Sequence, residues 1–141
     1  MNSKPIFFEG IDRVGKTSVM KEFNKITKFQ HLCFDRGPMS YAVYGELNSK
    51  DRTPLTSFKN IDKIMKNSIS VYLFNSDVEA IEKRCCKTCH TDFNILEHMN
   101  CFEECVLNLK DSGHVVIELD VENLTIEGVC NLLILELEKL K

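Results

Sequence analysis

No apolar run in the 141-residue chain approaches the roughly 20 residues that a membrane-spanning helix needs. The polar start Met1-Asn2-Ser3-Lys4-Pro5 likewise lacks the apolar core of a secretory signal. Low-complexity tracts and internal repeats are absent, and the composition, 43% hydrophobic and 28% charged, is that of a soluble globular protein. There is no run of basic residues, and the net charge is −3, which argues against a nucleic-acid binder driven by backbone electrostatics. Seven cysteines, an odd number, cannot form a complete disulfide framework. Free thiols in a cytoplasmic protein are expected, and the length suits one domain spanning residues 1–141.

Charge is unevenly spread. Residues 1–68 carry 12 Lys and Arg against 7 Asp and Glu, whereas residues 69–141 carry 6 against 14. The basic half holds the most informative stretch. Gly10 to Thr17 fits the phosphate-cradling pattern G-x-x-x-x-G-K-[ST] without a mismatch, and Ile6-Phe7-Phe8 before it reads as the buried strand from which such a loop departs. Gly10 and Gly15 would let the backbone bring its N–H groups against phosphate oxygens. Lys16 supplies a mobile positive charge, and the Thr17 hydroxyl suits a magnesium ion. Val19, Met20, Phe23 and Ile26 recur at helical spacing, which predicts a helix from about Thr17 with its positive end facing the anion.

Further along, the short apolar segment Gln30 to Phe34 ends in Asp35-Arg36-Gly37-Pro38. An acidic residue at the carboxyl end of a strand beside a phosphate loop can hold magnesium or accept a proton from an attacking oxygen, and Arg36 could clamp a phosphate. Tyr41 and Tyr44 are three apart, on one side of a helix if one forms, where they could stack on a base or pack a core. Residues 48–55 read as a polar loop and 56–67 as a short helix. Ile69 to Phe74 alternates as a strand, and Ser76-Asp77-Val78-Glu79 matches a capping box that opens a helix ending near Arg84.

A lid is expected over about residues 84–92, where Arg84 could close over phosphates. Cys86 and Cys89, with Cys101 and Cys105, raise the question of a zinc site. The helix marked by Ile95, Met99, Phe102, Val106 and Leu109 leaves Cys101 and Cys105 beside its core face, where they read as small apolar residues. His114 to Leu119 is the last strand, Asp120 to Asn123 a loop, and a final helix runs from about Thr125 to Leu140 with Ile126, Val129, Leu133, Leu137 and Leu140 on one stripe. Strands alternating with helices predict a three-layer α/β fold with a parallel sheet and ligands at the carboxyl ends of its strands.

These residues carry a resemblance. Phe8-Glu9-Gly10-Ile11-Asp12-Arg13-Val14-Gly15-Lys16-Thr17 resembles the phosphate loop of thymidylate kinases, in which Phe-Glu-Gly precedes Asp and Gly-Lys-[Ser/Thr]. Asp35-Arg36 with Ser40 resembles the second signature of the thymidylate kinase and deoxynucleoside kinase superfamily, and Val71 through Arg84 is similar to the strand, helix and lid that follow. The resemblance implies a P-loop kinase using ATP and Mg2+. Its acceptor would be a deoxynucleoside monophosphate or a deoxynucleoside.

By position, Gly10, Asp12, Val14, Gly15, Lys16, Thr17 and Ser18 would line the nucleotide, with Asp12 facing an acceptor sugar hydroxyl and Arg13 the transferring phosphoryl. Thr17 and Asp35 would manage the metal, and Arg36 would hold the acceptor. Adenine would lie between Arg84 and the loop at Asp120 and Val121, and a homodimer would be in keeping with the superfamily. Thymidylate kinases carry a strand and helices between the first helix and the Asp-Arg signature, but here only Lys28 to Phe34 intervene. Such compactness in a Lys- and Asn-rich chain would suit a bacteriophage member. The rival readings are a nucleotide-binding module without transfer activity and a kinase of a nucleic-acid 5′-hydroxyl or a modified base.

Overall fold

The computed structural model describes residues 4–11, 14–44, 63, 65–83 and 95–141, and the backbone alone of 45–48. Asp12, Arg13, Arg84, the expected lid, the loop at 48–55, most of the helix at 56–67, and Cys85, Cys86 and Cys89 lie outside the described residues.

Among the described residues nine elements follow one another: β1 (Ile6–Glu9), α1 (Lys16–Ile26), β2 (Cys33–Asp35), α2 (Pro38–Asn48), β3 (Ile69–Phe74), α3 (Val78–Lys83), α4 (Ile95–Asp111), β4 (Val116–Asp120) and α5 (Ile126–Lys139). The strands form a four-stranded sheet in the order β2-β1-β3-β4, parallel throughout. This is the expected α/β architecture, a parallel sheet with flanking helices. Register sets which side chains share a face. Phe8 stands beside Asp35 on one side and Val71 on the other, while Glu9 stands beside Tyr72, which neighbours Glu118.

Those two rows face different helices. Phe8 meets Phe23 of α1 at 5.9 Å between ring centroids. On the opposite face Tyr72 stacks with Phe102 of α4 at 5.6 Å, and Phe102 meets Tyr44 of α2 edge-on at 6.0 Å. One layer is closed by α1 and α5, where Val19, Phe23, Val129, Cys130 and Leu133 are buried and the Cys130 thiol donates to the Val19 carbonyl at 3.4 Å. The other layer holds Met39, Val43, Met99, Phe102, Val106 and Leu109.

Local chemistry explains the boundaries, and a few differ from the sequence expectations. Gly15 at φ 94° opens α1, which therefore starts one residue before Thr17. Consecutive left-handed residues, Lys28 and Phe29, turn the chain straight into β2. α3 is capped by Asp77, whose carboxylate accepts from Ala80 N–H at 3.3 Å, because the Ser76 hydroxyl is taken by Glu122. Asp35 and Asp120 each end a strand rather than follow one.

Tyr41 and Tyr44 do not share a role in α2. Tyr41 is 72% exposed, whereas Tyr44 is half-buried against Phe102. In α5 the buried stripe narrows to Val129, Cys130 and Leu133, leaving Ile126 and Leu140 exposed at the ends. Cys33, Cys101, Cys105 and Cys130 are thiols rather than disulfide sulfurs, and burial pushes the Cys33 and Cys130 thiols up to about 11, which makes them weak nucleophiles at neutral pH. Among the described residues no group of three or more His, Cys, Asp or Glu is placed to hold a metal ion.

Phe102 is fully buried where α2, α4 and β3 meet. Truncating it leaves a cavity under the sheet, so Phe102→Ala should cost about 3–5 kcal/mol. Chemical denaturation checks this through a lower midpoint with an unchanged slope.

Candidate active site

The carboxyl edge of the sheet gathers the loops that the sequence singled out. β1 ends in Glu9, and Gly10 then turns at φ 140°. A Cβ on Gly10 would stand 2.3 Å from the Leu73 carbonyl oxygen of β3, so only glycine lets the chain leave the sheet here. Ile11 and Val14 bury their side chains in the core on either side of the loop. Lys16 is 6% exposed, and its Nζ donates to the Gly10 carbonyl at 3.1 Å, closing the loop on itself. Gly15 differs from Gly10. It has positive φ, but a Cβ there would meet nothing within 4 Å.

Two signatures meet across β1 and β2. Thr17 Oγ1 donates to Asp35 Oδ2 at 2.7 Å, joining the start of α1 to the end of β2. A hydroxyl and a carboxylate at this separation are hard oxygen donors of the kind magnesium takes, so the pair fits that ion. Arg36 follows with φ 71°, held by its N–H to the Phe8 carbonyl at 2.9 Å, and its guanidinium carbon lies 5.6 Å from the centre of the Tyr44 ring. Gly37 cannot carry a side chain, because a Cβ would fall within 2.4 Å of the Phe7 ring.

Glu9 is the functional-edge residue to which the sequence reading assigned no role. It is fully buried, and its carboxylate accepts from Gly37 N–H at 2.8 Å, Met39 N–H at 2.6 Å, Ser40 N–H at 3.2 and 3.3 Å, and the Ser40 hydroxyl at 2.6 Å. Burial raises its carboxyl above the ordinary value, against the opposing pull of these hydrogen bonds. The signal was present in the sequence as a lone acid closing an apolar strand.

Asp120 and Val121 sit apart from this cluster. β4 is two strands from β1, so at the usual spacing Asp120 lies about 10 Å from the phosphate loop's strand and about 14 Å from that of Asp35. Asp120 Oδ1 accepts from Ser76 N–H at 3.2 Å and Glu122 N–H at 3.0 Å, tying the ends of β3 and β4 together. Burial pushes its carboxyl up, but the hydrogen bonds from Ser76 and Glu122 outweigh this and hold it below its ordinary value. Ser18 is exposed at the start of α1.

A glycine-bounded loop after β1 and an Asp-Arg pair at the end of β2 thus lie side by side on a four-stranded parallel sheet with flanking helices. This fold recurs in solved structures, two of which match as follows. The YorR protein of Bacillus subtilis, solved with phosphorylated GDP, matches with a TM-score of 0.65 and 20% identity over 94% of this chain and 95% of that one. Thymidylate kinase from Candida albicans matches with a TM-score of 0.53 and 16% identity over 98% of this chain and 92% of that one. No family model and no curated protein sequence matches the chain.

The two glycines should respond differently to alanine. Gly10→Ala meets both an unfavourable φ and the Leu73 carbonyl, so thermal denaturation should show a loss well above the roughly 1–2 kcal/mol of a left-handed strain alone. Gly15→Ala should show only that strain. For Asp120, whose value is lowered on folding, the stabilisation is present above its ordinary value of 3.8 and lost as pH falls through the folded one. Asp120→Asn should therefore melt below the wild type at pH 7, with the gap closing on the acid side of pH 3.8, as melting curves across pH would read.

Proposed function

We propose that the protein is an ATP- and magnesium-dependent phosphotransferase acting on a deoxynucleoside monophosphate or a deoxynucleoside. The observation that carries this reading is the 2.7 Å bond between Thr17 and Asp35, which brings the phosphate loop and the Asp-Arg signature into one site. A loop that only bound nucleotide would have no need of a second signature bonded to it.

Phosphoryl transfer asks little covalent chemistry of the protein, so positioning and charge carry the rate. Lys16 would leave the Gly10 carbonyl for the β- and γ-phosphates and neutralise charge on the group in transfer. Thr17 and Asp35 would hold the magnesium ion, which supplies further neutralisation of phosphate charge. Arg36, one face packed on Tyr44, would direct its remaining donors at the acceptor phosphate. Arg13 would reach the transferring phosphoryl and Asp12 the acceptor hydroxyl, while Arg84 and the Asp120–Val121 loop would bracket the adenine. The separation of Asp120 from Arg36 across the sheet supports this division, with the donor base at one end and the acceptor at the other.

The test is a product screen with ATP and magnesium against each deoxynucleoside, each deoxynucleoside monophosphate and a short 5′-hydroxyl oligonucleotide. Guanine nucleotides belong in the panel because the Bacillus subtilis structure holds phosphorylated GDP. A phosphorylated acceptor is expected from the wild type, with a loss of about 10²–10³-fold or more in Lys16→Ala. Turnover unchanged in that variant would remove the loop from the mechanism. No product from protein that binds ATP would favour a nucleotide-binding module.

A further inference from the structure

A carboxylate is a poor choice for the inside of a protein unless every lone pair is used. Glu9 meets that condition: three backbone N–H groups and one hydroxyl converge on its two oxygens, all from residues 37–40. With its acceptor capacity filled and its side chain fully buried, Glu9 has no free lone pair to take a substrate proton. Its partners belong to the turn into α2, and that turn also contains Arg36.

The attachment points lie on both sides of the arginine. Arg36 N–H is bonded to the Phe8 carbonyl, and Gly37 N–H to the Glu9 carboxylate. Between them Arg36 holds φ 71°, a conformation that an ordinary side chain adopts only when its surroundings enforce it. Glu9 also sits one residue before Gly10, so the same backbone that anchors this turn starts the phosphate loop.

We propose that Glu9 is a positioning residue: its carboxylate fixes the Arg36 turn to the base of the phosphate loop and so sets where the arginine meets the acceptor. The proposal rests on the phosphotransferase reading for its kinetic consequence, and on the hydrogen bonds alone for its structural one. Glutamine at this position keeps the shape but replaces one accepting oxygen with a donor, setting an N–H against the N–H groups of the turn.

The experiment compares wild type, Glu9→Gln, Glu9→Asp, Arg36→Ala and the Glu9→Gln/Arg36→Ala double variant, with two readouts. Amide hydrogen exchange should quicken by at least about tenfold at Gly37, Met39 and Ser40 in Glu9→Gln while the β3 amides stay protected, with Glu9→Asp intermediate. Transfer from ATP to thymidine 5′-monophosphate, or to whichever acceptor the product screen identifies, should fall about 10–100-fold in kcat/KM for the acceptor, with the KM for ATP within about twofold. Because Glu9 would act through Arg36, the double variant should be no worse than Arg36→Ala alone.

Additive losses in the double variant, or an equal loss for ATP and acceptor, would overturn the proposal. So would unchanged exchange at residues 37–40. If the wild type transfers phosphate to no acceptor, the phosphotransferase reading fails by itself, and the exchange pattern then decides for or against the Glu9 tether.

Discussion

The site depends on β1 being hydrogen-bonded on both sides. In β1 (Ile6–Glu9) the three residues Ile6, Phe7 and Phe8 pair in register with β2 and all four residues pair with β3, so the end of β1 is anchored at the sheet's carboxyl edge. Gly10 leaves the sheet from that point against the Leu73 carbonyl of one neighbour, while Asp35 and Arg36 arrive on the other. A shift of one residue in the β1–β2 pairing would move Asp35 to the opposite face and separate it from Thr17. The register is thus a functional constraint as much as a structural one.

Two charged side chains are buried beside this strand, and each is satisfied differently. Lys16 curls back to the Gly10 carbonyl, a bond that under the proposed function it would exchange for phosphate oxygens. Glu9 is held by backbone donors that also form the first turn of α2, where the helix dipole favours a negative charge. One is therefore poised to change partners and the other to keep them. The pairing suits a site in which charge must be steered while the surrounding loops stay in place.

Among the described residues no strand lies outside β2, which is therefore the last strand on that side of the sheet. α1 turns directly into β2 through Lys28 and Phe29, so Arg36 lies at the sheet's edge, with Phe34 42% exposed and Tyr41 72% exposed beside it.

Much of this was legible in the sequence because its causes are local. The spacing of Gly10, Gly15, Lys16 and Thr17 predicts a strand, a glycine turn and a helix in succession, as β1 and α1 are, and the periodicity of Ile95, Met99, Phe102, Val106 and Leu109 is the buried face of α4. Alternation of strands and helices sufficed for the parallel sheet. What the sequence could not determine were partnerships between residues distant along the chain. The Thr17–Asp35 bond spans 18 residues, and the convergence of residues 37–40 on Glu9 spans 28 to 31. Ser76 looked like a helix cap until Glu122, 46 residues away, took its hydroxyl. Local pattern determines which elements form, because backbone propensity and burial act within a few residues. Only the packed sheet decides which side chains meet, because strand order and register set those distances.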